Sequence, residues 1–170
     1  MIIIGIDPGK QGCLCATDSK IGTIEIHKLD FNKNNILNKG KIEGFLDKIK
    51  PDLIITEKVQ GRGGWGATQT FSFGSTCGQI WYAVSDYQLM FVLPRSWQGI
   101  VCKGIPLMKK AKDRTVTAYA SLFPKNPLNL MLNKNFDTNI LDAFMISIYG
   151  QITFAKIENF NFEMIKKEDL

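Results

Sequence analysis

The stretch IIIGIDPGKQGCLCATD, from Ile2 to Asp18, decides the fold of this chain. It opens with a β-branched run, Ile2 to Ile6, which predicts a buried strand. Asp7 and the Pro-Gly pair after it break that strand in a turn. The next apolar run, Cys13 to Thr17, predicts a second strand that folds back on the first.

A third strand and an alternation of helices and strands follow this hairpin. Thr23 to Lys28 completes an antiparallel meander of three strands. The later elements are predicted as a helix at 34–49, a strand at 53–56, a helix at 71–85, a strand at 89–93, a short helix that Pro94 opens, and helices at 106–123 and 139–154. This order predicts an α/β fold with a mixed sheet and helices on both faces.

The composition is that of an ordinary globular domain. The chain has 170 residues, of which 45% are hydrophobic and 22% are charged, so it can bury a sizeable core. We expect one domain at 1–155 and a C-terminal tail at 156–170 that frays from a helix. A basic leader and a long apolar run are both missing, so we expect a cytoplasmic protein with no signal peptide or membrane span.

Charge and cysteine usage restrict the function classes. The net charge of +5 suits a polyanionic partner, and it is equally compatible with a plain basic surface. The cysteines form no Cys-x-x-Cys pair, and the single His27 offers no partner for a zinc site. We interpret all four as reduced thiols that fill space in the core, namely Cys13, Cys15, Cys77 and Cys102.

Three acidic residues stand out by their positions. Asp7 ends the first strand, Glu57 ends the fourth, and Asp142 lies in the first turn of the last helix. Ligands of open sheets bind at the carboxyl ends of neighbouring strands, where a helix N-terminus could add the third acid. Converging carboxylates repel each other, and Mg²⁺ relieves this because it prefers oxygen ligands. Two such ions, about 3.5–4 Å apart, would clamp the attacking and leaving oxygens of a phosphodiester.

Each of these acids also has an ordinary structural explanation. Asp7 before Pro-Gly is a common turn residue. Asp142 near a helix start is stabilised by the helix dipole, and Glu57 could be a surface residue at a strand end. The metal hypothesis therefore depends on the convergence of all three side chains.

Five ordered segments carry a resemblance to a known family. They are IIIGIDPGKQGCLCATD at 2–18, PDLIITEKVQ at 51–60, TFSFGSTCGQIWYAV at 70–84, VLPRSWQ at 92–98 and LDAFMISIYG at 141–150. In these segments the chain resembles the RuvC-type Holliday junction resolvases, and in particular their phage-like branch. The first segment alone is a weak signal, because actin-like ATPases also open with an acid and glycines after a strand.

The resemblance implies a fold, an activity and partners. It implies an RNase H-like fold and a homodimer that makes paired nicks in a four-way DNA junction, leaving 5′-phosphate ends. It implies Mg²⁺, with Mn²⁺ as a substitute, bound by four acidic residues. It also implies a bacterial or phage-infected cell, with the protein close to the nucleoid.

The resemblance leaves the fourth acidic ligand open. Asp7, Glu57 and Asp142 match three of the family's acids, but Asn139 stands where bacterial members have the remaining Asp. Asp137 lies nearby, and it would have to fold back from the loop before the helix, because an i, i+5 pair does not share a helix face. Asn139 could give a neutral oxygen ligand or cap the helix. We favour Asp137 as the fourth ligand.

Basic residues cluster at the start of the 106–123 helix. They are Lys109, Lys110, Lys112 and Arg114. Phage relatives carry a similar basic stretch, and we expect these residues to contact DNA. We further expect Lys112 to be catalytic, by holding the scissile phosphate or stabilising developing charge. A charge run is, however, more often a solvated helix face.

Further DNA contacts are predicted from the Gly-rich loop at 60–70 and from the segment after it. Arg62 and Trp65 suit stacking on unpaired bases, although Trp65 could equally be structural. Arg95 is a candidate phosphate contact, and Trp97 is expected to pack beneath the short helix.

The same region contains two phenylalanines, Phe71 and Phe73, that could act as a wedge at a junction centre. We instead expect both to lie in the core, which is the commoner environment for an aromatic residue in an apolar helix.

Three other functions remain open. The chain could be a nuclease that acts more broadly on flaps and forks, or a catalytically weak protein that only binds junctions. An actin-like ATPase is the least compatible alternative, because the chain is short for a two-lobed cleft and has no second phosphate motif.

Overall fold

The computed structural model describes residues 1–18, 20, 23–61, 63–108, 111–123 and 138–156. Its elements are β1 (Ile2–Asp7), β2 (Cys13–Asp18), β3 (Thr23–Lys28), α1 (Lys39–Ile49), β4 (Leu53–Glu57), α2 (Ala67–Ala83), β5 (Leu89–Val92), α3 (Pro94–Val101), α4 (Ala111–Leu122) and α5 (Thr138–Thr153). Over these ranges, no helix is long and apolar enough to cross a membrane.

The strands form one mixed sheet of five strands in the order β3-β2-β1-β4-β5. Strands β1, β2 and β3 pair antiparallel, as the predicted meander requires. Strands β4 and β5 continue the sheet on the other side of β1, and both pairings there are parallel. The crossover between β1 and β4 includes α1, since parallel neighbours need a long connection. The mixed sheet predicted from the sequence is confirmed.

The two faces of the sheet bury separate hydrophobic cores. Side chains of a strand alternate between faces, so Ile3 belongs to one core and Ile4 and Ile6 to the other. The Ile3 face carries α3, α4 and α5, and Phe144 of α5 is fully buried in its core. The opposite face carries α1 and α2, whose residues Ile42 and Ile80 lie in the same core as Ile4 and Ile6. Helices therefore cover both faces, as predicted.

The last helix, α5, lies directly on β1 and runs antiparallel to it. A Cβ atom placed at Gly5 would overlap the backbone of Ala143 and Ser147, so helix and strand meet there without a side chain between them. Further along α5, Gln151 donates from Nε2 to the Thr17 carbonyl oxygen over 2.9 Å, at the far end of the hairpin. The first turn of α5 consequently lies at the carboxyl end of β1.

Several helix boundaries differ from the predictions, and a local turn explains one of them. Helix α1 begins at Lys39 rather than at 34, because the Asn32 side chain accepts hydrogen bonds from the backbone N–H groups of Asn34 and Ile36. Helix α2 begins at Ala67, four residues earlier than predicted, with Gly66 as its N-cap. Helix α4 begins at Ala111. The core prediction for Phe71 is wrong, because this side chain is 79% exposed.

All four cysteines are buried and none forms a disulfide bond, as predicted. Cys13 and Cys15 lie in the same core, which the strand alternation required. Burial raises the pKa of the Cys15 thiol, and burial is also the main reason why the pKa of Cys77 is raised to about 11. Because only the thiolate reacts readily, these thiols are poor nucleophiles at neutral pH.

We predict that the native protein reacts slowly with a disulfide reagent such as DTNB. With a pKa near 11, only about one Cys77 thiol in a thousand is ionised at pH 8, and burial further limits access. The release of thionitrobenzoate, followed with and without denaturant, measures this. Denatured chains should release four equivalents within minutes, one for each cysteine in the sequence. A full equivalent released as quickly from native protein would contradict the prediction.

Candidate active site

Asp7 and Glu57 are neighbours at the carboxyl edge of the sheet. The parallel register of β1 and β4 pairs Ile6 with Thr56, and the next residue on each strand is the acid. Adjacent strands lie about 4.8 Å apart. The acids at the ends of the first and fourth strands are thus brought together, as the sequence analysis expected.

Both acids belong to the sheet face that α5 covers. Ile3 and Ile55 lie in the core on that face, and even spacing along each strand puts Asp7 and Glu57 on the same side. A direct contact supports this for Glu57. Trp97, a buried residue of α3 in that same core, donates from Nε1 to Glu57 Oε2 over 2.9 Å.

The first turn of α5 reaches the same edge. Cys13 pairs with Asp7 across β1 and β2, and its Sγ lies 3.5 Å from the Asn139 carbonyl oxygen. Asp142 follows three residues later and is half-buried. The helix therefore begins at the strand end that carries Asp7. Asp142 lies one turn further along, because the first turn of α5 contains no acidic residue, so the first-turn position expected from the sequence is wrong and the role of Asp142 as a ligand remains a prediction.

The negative charges of Asp7 and Asp142 contribute to the raised pKa values of two buried thiols. The pKa of Cys77 is raised to about 11, first by burial and then by the negative charge of Asp7. The pKa of Cys102, just after α3, is also raised by burial; the Arg114 guanidinium opposes this rise and the Asp142 carboxylate adds to it. Cys77 of α2 thus lies within electrostatic range of Asp7, and Cys102 lies within range of Asp142.

Comparison with known proteins identifies this architecture. No family profile and no curated protein matches the chain. Among solved structures, Thermus thermophilus RuvC in complex with a Holliday junction substrate superposes with a TM-score of 0.63 at 13% identity, covering 92% of this chain and 96% of that one. The chain has the fold of RuvC.

Two further structures agree with this assignment. A second Thermus thermophilus RuvC structure gives a TM-score of 0.60 at 15% identity, over 92% of this chain and 96% of that one. The yeast mitochondrial Holliday junction resolvase Ydc2 gives a TM-score of 0.52 at 17% identity, covering 86% of this chain and 76% of that one. The RNase H-like fold predicted from the sequence resemblance is confirmed.

The chemistry of the acidic side chains on this RuvC fold suits a hard divalent cation. Asp7, Glu57 and Asp142 offer carboxylate oxygens from two strands and a helix at one edge, and Mg²⁺ prefers such ligands. Within the part of the chain that the structure describes, no three His, Cys, Asp or Glu side chains stand close enough to hold an ion. The carboxylate ligands suit a divalent cation by their chemistry, but the described side chains do not by themselves form a metal site, so the convergence of Asp7, Glu57 and Asp142 remains a prediction.

The fourth acidic ligand predicted from the resemblance remains a prediction. Asp137 lies outside the described residues. Asn139 is described, in the first turn of α5, where its backbone carbonyl faces Cys13 and its side chain is partly exposed.

Several predicted DNA-binding residues also lie outside the described part of the RuvC fold. They are Arg62, Lys109 and Lys110. Lys112 is the second residue of α4, and the structure describes its backbone but not its side chain. Its predicted catalytic role stays a prediction.

Arg114 has a structural role that the sequence did not reveal. Its guanidinium donates from Nε to the Ile105 carbonyl and from Nη2 to the Cys102 carbonyl, both over 3.2 Å. These bonds attach the turn after α3 to α4. A DNA contact of Arg114 remains a prediction, and Arg95 is exposed on α3, where it can meet a ligand.

The aromatic residues of the loop before α2 form a small group at the surface. Trp65 packs edge-on against Phe73, with ring centroids 5.3 Å apart, and both are partly exposed. Phe71 is more exposed still. These positions leave the predicted stacking role of Trp65 open to a direct test.

Sequence reasoning missed the contact between Trp97 and Glu57. It placed Trp97 beneath the short helix, which is right, since the side chain is only 1% exposed. A buried indole usually needs an acceptor for its N–H, and that requirement is the signal that could have predicted a polar partner.

Proposed function

We propose that this chain is a metal-dependent endonuclease that resolves four-way DNA junctions by paired nicks in opposed strands. The observation that carries the proposal is the adjacent placement of Asp7 and Glu57 at the ends of β1 and β4, with the first turn of α5 at the same edge. The RuvC fold supports it, because the Thermus thermophilus protein is described in complex with a Holliday junction substrate.

In this proposal the acids hold Mg²⁺, with Mn²⁺ as a substitute. Asp7 and Glu57 contribute from the strand ends and Asp142 from α5, with Asp137 as the fourth ligand. When bound, divalent ions lower the pKa of water and stabilise a leaving alkoxide in phosphodiester hydrolysis. Lys112 holds the scissile phosphate, and cleavage leaves 5′-phosphate and 3′-hydroxyl ends.

Substrate selection in the proposal depends on shape rather than on base sequence. A homodimer presents two equivalent sites to two opposed strands of a junction. Phosphate contacts come from basic residues near the site, and Trp65 stacks on unpaired bases. The proposed contacts are Arg62, Trp65, Arg95, Lys109, Lys110, Lys112 and Arg114. Such contacts make binding strongly dependent on salt.

A panel of branched substrates tests the substrate class. Labelled four-way junctions, flaps, forks and plain duplexes of matched sequence are incubated with the full chain in Mg²⁺, and the nicks are mapped. The proposal predicts symmetric nicks confined to the four-way junction, with ends that ligase can rejoin. Equal cutting of flaps and forks would instead establish a broader debranching nuclease. Tight junction binding without cutting would indicate a binding protein in which Asn139 marks an incomplete site.

A further inference from the structure

We propose that Trp97 is a positioning residue for the metal site, in which its indole N–H fixes the carboxylate of Glu57. This inference rests on the proposed function and names a part of the site outside the acidic ligands. The contact is a hydrogen bond of 2.9 Å from Trp97 Nε1 to Glu57 Oε2, between residues 40 positions apart in the sequence.

The donor in this contact is held firmly by the fold. Trp97 is 1% exposed and lies in the same core as Val101 at the end of α3 and Cys102 just after it. Pro94 opens that helix at its first position, and Arg114 attaches its end to α4 through the Cys102 carbonyl. Close packing around a large buried ring restricts its rotamers, so the direction of its N–H is restricted as well.

The chemistry of an indole suits this task. A glutamate side chain at a strand end rotates about its three side-chain bonds. A hydrogen bond to one carboxylate oxygen restricts this rotation before a cation binds. The indole N–H is a neutral donor and carries no positive charge. It therefore orients the carboxylate and leaves intact the negative charge that attracts a cation. A lysine or arginine in the same place would cancel that charge.

The chain supplies a matched control on the opposite face of the same strand. Trp81 donates from Nε1 to Thr56 Oγ1 over 3.2 Å, and Thr56 directly precedes Glu57. Thr56 belongs to the other face of β4, and α2 supplies the indole there. Trp81→Phe thus removes the same kind of hydrogen bond from the adjacent residue without touching Glu57.

Manganese binding by the full-length chain in the absence of DNA tests the inference. We expect Trp97→Phe, which keeps an aromatic ring, to weaken Mn²⁺ affinity by about 10- to 100-fold, the usual effect of losing a residue that orients a metal ligand. Trp81→Phe should change it by less than about 3-fold. Electron paramagnetic resonance of free Mn²⁺ measures both. In a Glu57→Gln background, Trp97→Phe should cause no further loss. Equal affinities for the two Trp variants would overturn the proposal.

Nuclear magnetic resonance provides a second measurement that does not require a folded Trp97→Phe variant. The chain has three tryptophans, so its spectrum contains three indole N–H signals, which Trp65→Phe and Trp81→Phe variants assign. Glu57→Gln should shift the Trp97 signal and leave the Trp81 signal in place. Addition of Mg²⁺ to the wild-type protein should likewise shift the Trp97 signal more than the Trp81 signal. A Trp97 signal that responds to neither change would contradict the inference.

Failure of this inference is distinguishable from failure of the proposed function. If wild-type protein binds Mn²⁺ and cuts junctions while Trp97→Phe behaves like Trp81→Phe, only the role of Trp97 is wrong. If wild-type protein binds no Mn²⁺ and cuts no branched DNA, the metal site itself is wrong and the positioning role falls with it.

Discussion

Asp7→Asn is expected to lower cleavage of a four-way junction by at least about a hundred-fold while leaving junction binding intact. A ligand that loses its charge weakens metal-assisted stabilisation worth several kcal/mol, and each 1.4 kcal/mol corresponds to a factor of ten in rate. The substitution keeps the size of the side chain at the end of β1, so the fold should persist. Cleavage in Mg²⁺ and binding in EDTA are measured on the same preparation.

Asp86 offers a control for this substitution. It is exposed in the turn between α2 and β5, away from the carboxyl edge, and Asp86→Asn removes the same charge from the chain. We expect wild-type cleavage from this control. If Asp7→Asn also cut junctions at the wild-type rate, the carboxyl edge would not be the catalytic site.

Gly5→Ala is expected to destabilise the fold by about 3 kcal/mol, in the upper range for overpacked cores. The added Cβ would overlap the Ala143 carbonyl oxygen and the Ser147 amide, which are backbone atoms and cannot rotate away. The only relief is to move α5 off the sheet, and that movement would also displace Asp142. Urea denaturation followed by circular dichroism measures the free energy of unfolding.

Gly44→Ala is the matched substitution, and we expect it to change the free energy of unfolding in the opposite direction. Gly44 lies within α1, is exposed, and has nothing within 4 Å of an added Cβ. Alanine is the better helix former, so we expect stability to rise by about 0.5–1 kcal/mol. A Gly5→Ala variant as stable as wild type would mean that α5 does not pack on β1 as closely as described.

The sequence predicted the part of the site that depends on local pattern. The β-branched run before Asp7 and the short apolar run before Glu57 both read as strands ending in an acid, and parallel neighbours present such ends at one edge. The direction of α5 does not follow from its own residues, because most of them are apolar. The folded chain reveals this direction through contacts at the two ends of the helix, from Cys13 to Asn139 and from Gln151 to Thr17.

Contacts between distant segments account for the rest of what was missed. The hydrogen bond from Trp97 to Glu57 joins two elements through the core of the sheet face, and no spacing rule encodes it. Phe71 looked like a core residue because it is aromatic and helical. Its side of α2 faces away from the sheet and is covered by no element that the structure describes.

The most direct test of the central claim is cleavage of a labelled, immobile four-way junction by the full chain, in Mg²⁺ and in EDTA. If the acids at the carboxyl edge hold a catalytic cation, paired nicks in opposed strands should form in Mg²⁺ and disappear in EDTA. Tight binding with no cleavage in either Mg²⁺ or Mn²⁺, or equal cleavage in EDTA, would contradict the proposed metal-dependent resolvase.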